Sequence, residues 1–441
     1  MKKLLMVGCV ILSVGVNSGA VAASLDEVVA LTLQSNPNVL EASNERFARD
    51  HELRFARGNY YPTLDLVAGV GRERSDNVAT RAQGARTGGG DTVTLTPTEV
   101  ELQATQLLFD GFARQSEVAR QQARIESSAY TVFGTSQVVG LRTAEVYLEA
   151  LRRRMLLDLS KQNLAVHLSI FDQIEARSGS VGRKSDLEQI KSRLALARSN
   201  VIADEFNAVD ADTNYLRVVD VMPAELTRPA PPTDRLPKSM ENAVQAALAA
   251  HPTLKSAEAD VQASIAEHKG ARNGYYPRFD LEAFANVQED VDGIEGDEDD
   301  VGVFLRMRYN LYRGGRDSAR IKATASLLER TREIRNNTRR QVHESIRLSW
   351  VSYTATSNQL IPLRERADAS GQTRDAYKQE FNIGKRSLLD LLDTENEYIE
   401  AKRALLDAEY DNLFAQYRIL TGTGQLLQAL GIDLPESALM D

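Results

Sequence analysis

The chain has 441 residues, 42% of them hydrophobic, a formal charge of −9 and one cysteine. This composition suits two or three folded domains and excludes a disordered tail. A net acidic chain with no basic face excludes nucleic acid as a partner. Beyond the amino terminus no segment reaches the roughly 18 consecutive apolar residues of a membrane-spanning helix, which excludes a helical membrane protein.

Residues 1–23 read as a signal peptide: Lys2 and Lys3, an apolar run from Leu4 to about Val16, then small residues ending "GAVAAS", with cleavage after Ala22 or Ala23. Cys9 lies inside the apolar run rather than after it, so it reads as a signal-peptide residue and not as a lipidation site. The mature chain then has no cysteine, hence no disulfide or thiolate metal site, and a net charge of −11 after loss of Lys2 and Lys3 from −9. An exported, acidic, cysteine-free chain fits a Gram-negative periplasm or outer membrane.

Residues 24–221 and 238–441 read as two structural repeats joined by a Pro-rich linker, 222–237. "ARGNYYPTLDL" at Ala56 returns as "ARNGYYPRFDL" at Ala271, so Tyr60, Tyr61 and Pro62 map onto Tyr275, Tyr276 and Pro277. "SNPNVLEA" at Ser35 has its counterpart in "AHPTLKSA" at Ala250, and "VGRKSDLEQ" at Val181 in "IGKRSLLDL" at Ile383. Each half holds a predicted β-hairpin, at about 62–110 and 277–312. Leu64, Leu66, Ala68 and Val70 alternate along the first strand and Val301, Val303, Leu305 and Met307 along the last. "DNVATRAQGARTGGGDT" reads as a glycine-rich spacer in the first hairpin. Four strands of about 10 residues, apolar on one face, match a membrane barrel. Four cannot close one alone. Either copies of the chain share a barrel or the strands form an ordinary soluble sheet.

From about Ala113 to Ser178 there is no proline, which predicts one helix of roughly 100 Å. The next helix steps 3, 4, 3, 4 through Leu187, Ile190, Leu194, Ala197, Val201, Asp204, Ala208, Ala211, Tyr215 and Val218, a supercoiled seam. Its counterpart runs from Leu389 and Leu392 to Leu420, interrupted by Asn396 and Arg403. Pro362 should bend its helix.

With the tandem halves, the NP and HP helix starts, both YYP passages, "LLFDGF" at Leu107, "NLYRGG" at Asn310 and the two VG/IG turns, the mature chain resembles the TolC family of outer-membrane efflux and secretion ducts. The resemblance implies a mainly α fold with a β-barrel part. Long coiled-coil helices form a periplasmic tunnel, and four strands per chain contribute to a trimeric 12-stranded outer-membrane barrel. It implies pore-constriction aspartates at Asp390 and Asp393, and a gate latch between Arg386 and Glu188. It also implies adaptor contacts at the turns Val181, Gly182, Ile383 and Gly384. Phe381 stands where the family often has a tyrosine. Glu188 and Asp390 also fit helix-start capping by Ser185 and Ser387. The tyrosine pairs suit a membrane interface or an ordinary helix end.

The implied partners are two further copies in a homotrimer, a periplasmic adaptor (membrane fusion) protein, an inner-membrane transporter of ABC type and outer-membrane lipid. The implied location is the outer membrane, with most of the mass in the periplasm. No cofactor is expected. His51, His167, His251, His268 and His343 are scattered, so nothing assembles a catalytic site and the chain reads as a non-enzyme. "GRKS" at Gly182 lacks the rest of a phosphate loop. The acidic stretch "QEDVDGIEGDEDD" at Gln288 reads as a solvated loop rather than a calcium site. The expected function is a passive exit duct in type I protein secretion. Small-molecule efflux is the alternative, and a soluble coiled-coil adaptor a more distant one.

Overall fold

The structure, a computed structural model, describes residues 23–178 and 184–439. The signal-peptide reading, apart from Ala23, and the Val181–Gly182 turn lie outside the described residues.

Ser24 caps helix α1 (Leu25–Ser35) through a capping box with Glu27, and Asn36 caps α2 (Pro37–Gly58), whose first residue is proline. Gly58 and Pro62 end that helix and lead into β1 (Thr63–Val70). The predicted glycine-rich spacer is not plain loop. It folds as β2 (Glu73–Ser75), helix α3 (Val78–Thr87) and β3 (Val93–Leu95), because Asn77 and Thr80 form a capping box that starts a helix in a segment with no apolar periodicity. Strand β4 (Thr98–Phe109) returns to α4 (Ala113–Ser178), 66 residues long, followed by α5 (Lys184–Val219).

The second half follows the same order. Helices α6 (Met240–Ala250) and α7 (Pro252–Gly270) lead to β5 (Arg278–Glu289) and β6 (Asp297–Arg308). Helix α8 (Arg316–Asn382) runs 67 residues with Pro362 inside it, then come α9 (Leu388–Gly422) and the short α10 (Leu426–Ala429). No described helix is apolar enough to cross a membrane.

The main sheet is antiparallel, in the order β1-β4-β5-β6. The helices at its foot pack in the parallel order α2-α4-α7-α8. Register carries the apolar residues across all four strands: Leu64–Ala104–Ala283–Val303 form one row and Leu66–Leu102–Ala285–Val301 the next. This face is bare; Leu66 is 70% exposed and Val301 83%. On the opposite face Asp280 and Glu282 are buried under Arg278, Arg306 and Arg308. Strands β1 and β6 each keep one unpaired edge. An apolar face open to the surroundings and two free edges do not suit an ordinary soluble sheet.

Candidate functional site

The helix starts are prepared by local chemistry. At the strand-to-helix corner the Asp110 carboxylate accepts from the backbone N–H groups of Ala113 and Arg114, both at 3.0 Å, and caps α4. Gly111 (φ 70°) sits so close to Asn273 and Tyr276 that a Cβ would lie 2.8 Å from each. Tyr60, Tyr61, Tyr275 and Tyr276 are all exposed, just before Pro62 and Pro277. Arg114 stacks 4.7 Å over the Tyr60 ring, and Tyr276 joins Phe109 and Phe112 in an edge-to-face cluster.

At the far end of the long helices an apolar cluster of Ile170, Ile174, Ile190, Phe381, Leu388, Leu391 and Leu392 ties α4 and α5 to the α8–α9 turn. Phe381 is buried in that cluster, which suits a ring without a hydroxyl. Helix α8 stops at Ile383 and Gly384, whose φ of 78° favours glycine. Ile383 is 67% exposed.

The charged residues here are not paired as expected. Arg386 donates to Glu380 at 2.7 Å and stacks 4.0 Å over Tyr377, while Glu188 accepts from Lys191 at 3.0 Å. Each finds a partner within its own hairpin or helix, and within the single chain Arg386 and Glu188 do not pair with each other. Asp390 closes the capping box with Ser387, at 2.9 Å from its hydroxyl. The corresponding box at Ser185 is absent, because α5 starts at Lys184 and the Ser185 hydroxyl turns to Asp186.

Asp393, a turn further in, accepts from Arg193 of α5 at 2.8 Å. That bond joins the two coiled coils, and sequence reasoning missed it. Its signal was legible: with the two halves superposed at an offset of 202, Lys191 and Arg193 stand where the second half has Asp393 and Glu395. Glu395 itself is buried between α8 and α9, and that burial raises its carboxyl above the usual range against the pull of Arg374 and Lys378.

A second polar junction lies higher up. Arg403 of α9 clasps Asp204 of α5 with two hydrogen bonds of 2.8 and 2.9 Å, and Ser160 of α4 donates to the same carboxylate. Burial pushes the Asp204 carboxyl up, but the bonds from Arg403 and Ser160 outweigh it and hold the group below its usual value. The arginine that interrupts the α9 seam thus faces the aspartate in the α5 seam.

Among the described residues no cluster of His, Cys, Asp or Glu could hold a metal ion. The acidic stretch from Gln288 spans the end of β5, the turn at 290–296 that holds Asp290, Asp292 and Glu295, and the start of β6. His167, His251 and His268 lie apart. His167 bonds the Asn163 carbonyl and His268 the Thr324 hydroxyl, while burial lowers the pKa of His167 and His251.

Among known proteins, the outer membrane efflux protein BepC of Brucella suis is 25% identical over 96% of this chain and 91% of its own. The outer membrane protein TolC of Escherichia coli is 22% identical over 97% and 87%. The alkaline protease secretion protein AprF of Pseudomonas aeruginosa is 24% identical over 93% and 86%. The solved outer-membrane channel OprN superposes with a TM-score of 0.77 over 92% of this chain and 90% of its own, at 18% identity, a likeness of fold. The profile of one family covers residues 28–214 and 243–425, one match in each half. The chain belongs to the outer membrane efflux protein family.

Proposed function

We propose that the chain is one of three identical subunits of a passive outer-membrane exit duct. A periplasmic adaptor and an inner-membrane transporter of ABC type would deliver cargo to its tunnel. The observation that carries this reading is the in-register apolar face of the four strands, with free edges at β1 and β6, at the head of helices about 100 Å long. Three such sheets close a barrel of 12 strands with no edge left in lipid.

Asp390 and Asp393 of three copies form an acidic, cation-favouring ring at the tunnel end. Arg193 restrains Asp393 in the closed arrangement, in the role expected of the Arg386–Glu188 pair. The turns at Val181–Gly182 and Ile383–Gly384 meet the adaptor; the exposure of Ile383 supports this. Tyr60, Tyr61, Tyr275 and Tyr276 mark the membrane boundary. The cargo is protein exported by type I secretion; the name of AprF, an alkaline protease secretion protein, supports protein as the cargo. The efflux name of BepC favours a second reading, small-molecule efflux.

The test begins with fractionation: a heat-resistant trimer in the outer-membrane fraction is expected, and a soluble periplasmic monomer would overturn the duct. A deletion strain then separates the cargoes. Loss of a large secreted protein with unchanged drug susceptibility supports secretion; the reverse supports efflux.

A further inference from the structure

A groove of about 500 Å³ runs between α4 and α7 immediately below the strands. Its upper wall is Phe112 and Tyr276, its sides include Ala119 and Ile265, and Lys269 and Arg272 stand along it. Its orientation follows from the sheet. Phe109 pairs in register with Phe279 on the apolar face of the strands. Phe112 and Tyr276 contact Phe109 edge to face at 5.4 and 6.3 Å. The aromatic cluster therefore carries the outward apolar band down onto the helices, and the groove opens on that same outer side.

Two features mark this groove as built to hold something. Phe112 holds a left-handed backbone, φ 69°, a costly conformation for a bulky residue, and it brings the ring onto the cluster. Lys269 and Arg272 are exposed, and neither makes an ion pair or hydrogen bond among the described residues, whereas Arg114, Arg120 and Arg313 nearby are each paired with a carboxylate. The neighbouring groove between α2 and α4 also holds Arg54 and Arg57 without ion pairs among the described residues, there beside Glu126 and an Arg46–Asp50 pair. In a chain with a net charge of −9, exposed cations gather at the level where the helices meet the membrane.

We propose that the α4–α7 groove binds the headgroup of an anionic phospholipid from the periplasmic leaflet. Lys269 and Arg272 take the phosphate, and the first part of an acyl chain lies against Phe112, Ile265 and Tyr276. A headgroup at that height, with its chain running up the apolar face, matches both the charge and the apolar walls. The groove lies inside the α2-α4-α7-α8 layer, away from the free edges at α2 and α8 where a second copy would dock. The inference rests on the outer-membrane placement proposed above.

The test uses delipidated full-length protein titrated with dioleoyl phosphatidylglycerol or dioleoyl phosphatidylcholine, with bound lipid counted by native mass spectrometry. One phosphatidylglycerol per chain is expected, held ~30-fold more tightly than phosphatidylcholine, since two cations near a membrane surface each favour an anionic lipid by roughly fivefold. The Lys269→Gln/Arg272→Gln variant loses the preference, and the Lys269→Arg/Arg272→Lys variant keeps it. Equal binding of both lipids, or an unchanged preference in the glutamine variant, overturns the site. So does displacement of phosphatidylglycerol by equimolar inorganic phosphate, because the acyl walls would then contribute nothing. Insertion into phosphatidylcholine bilayers is the control. A protein that inserts there without lipid preference refutes the site alone, and one that inserts nowhere refutes the duct.

Discussion

A carboxylate buried among three long helices is costly unless its charge is answered, and Asp204 is only 3% exposed. Arg403 and Ser160 answer it from α9 and α4, and they hold its pKa down despite burial. An acid whose folded pKa is depressed adds stability above its unfolded pKa and loses it as pH falls through the folded value. Arg403→Met should therefore destabilise the helix bundle by about 2 kcal/mol at neutral pH, a figure reduced from the fully buried case because Arg403 is partly exposed. The deficit should shrink toward about pH 4, where the stranded Asp204 can accept a proton. Thermal unfolding of wild type and variant at both pH values measures it. Asp204→Leu/Arg403→Leu should return close to wild type. A deficit independent of pH, or a double variant as weak as the single, would mean that Arg403 acts through packing alone.

At the scale of elements, two coiled coils, α4–α5 and α8–α9, are joined by polar contacts of Arg152, Arg403 and Arg193, and among the described residues the one nearest the tunnel end is Arg193 to Asp393. Arg386 instead stays within the α8–α9 unit through Glu380. A partly exposed pair contributes roughly 0.5–1 kcal/mol, so three copies bias closing by about tenfold or more. Arg193→Gln should raise the open probability of the purified channel in planar bilayers by that order, and Arg386→Gln should change it less. The opposite ranking would return the latch to Arg386.

The seam of α5 was legible in the sequence because its 3,4 spacing coincides with burial from Ile190 to Tyr215. The seam of α9 slipped at its start: Leu389 is exposed, and Leu388 and Leu391 take the core, because the capping box at Ser387 sets the phase of the first turn. Helix α3 was illegible because it is started by Asn77 and not by an apolar face. The partner of Asp393 was visible only as a charge inversion between the repeats, a signal that spacing alone does not reveal.

For the whole molecule, the decisive property is that one subunit is unfinished. Strand β1 and helix α2 lie at one side, β6 and α8 at the other, so the two free edges are different surfaces, and in the proposed assembly copies would pair head to tail. Such contacts either close into a ring or grow without end, and the twist and tilt of strands favour closure. A closed barrel leaves Val303, 69% exposed on a single chain, facing hydrocarbon, while Asn286 on the opposite face of the sheet points into the lumen. Val303→Arg should then cost roughly 2–4 kcal/mol per chain near the membrane midplane, multiplied by three in a trimer. It should abolish the heat-resistant band in the outer-membrane fraction. Asn286→Arg should assemble normally and conduct with weaker cation preference, because a lumenal charge alters selectivity without touching lipid. If both variants assembled equally well, the apolar rows would not face lipid. If both failed equally, the two faces would not differ, and the shared barrel would have to be abandoned.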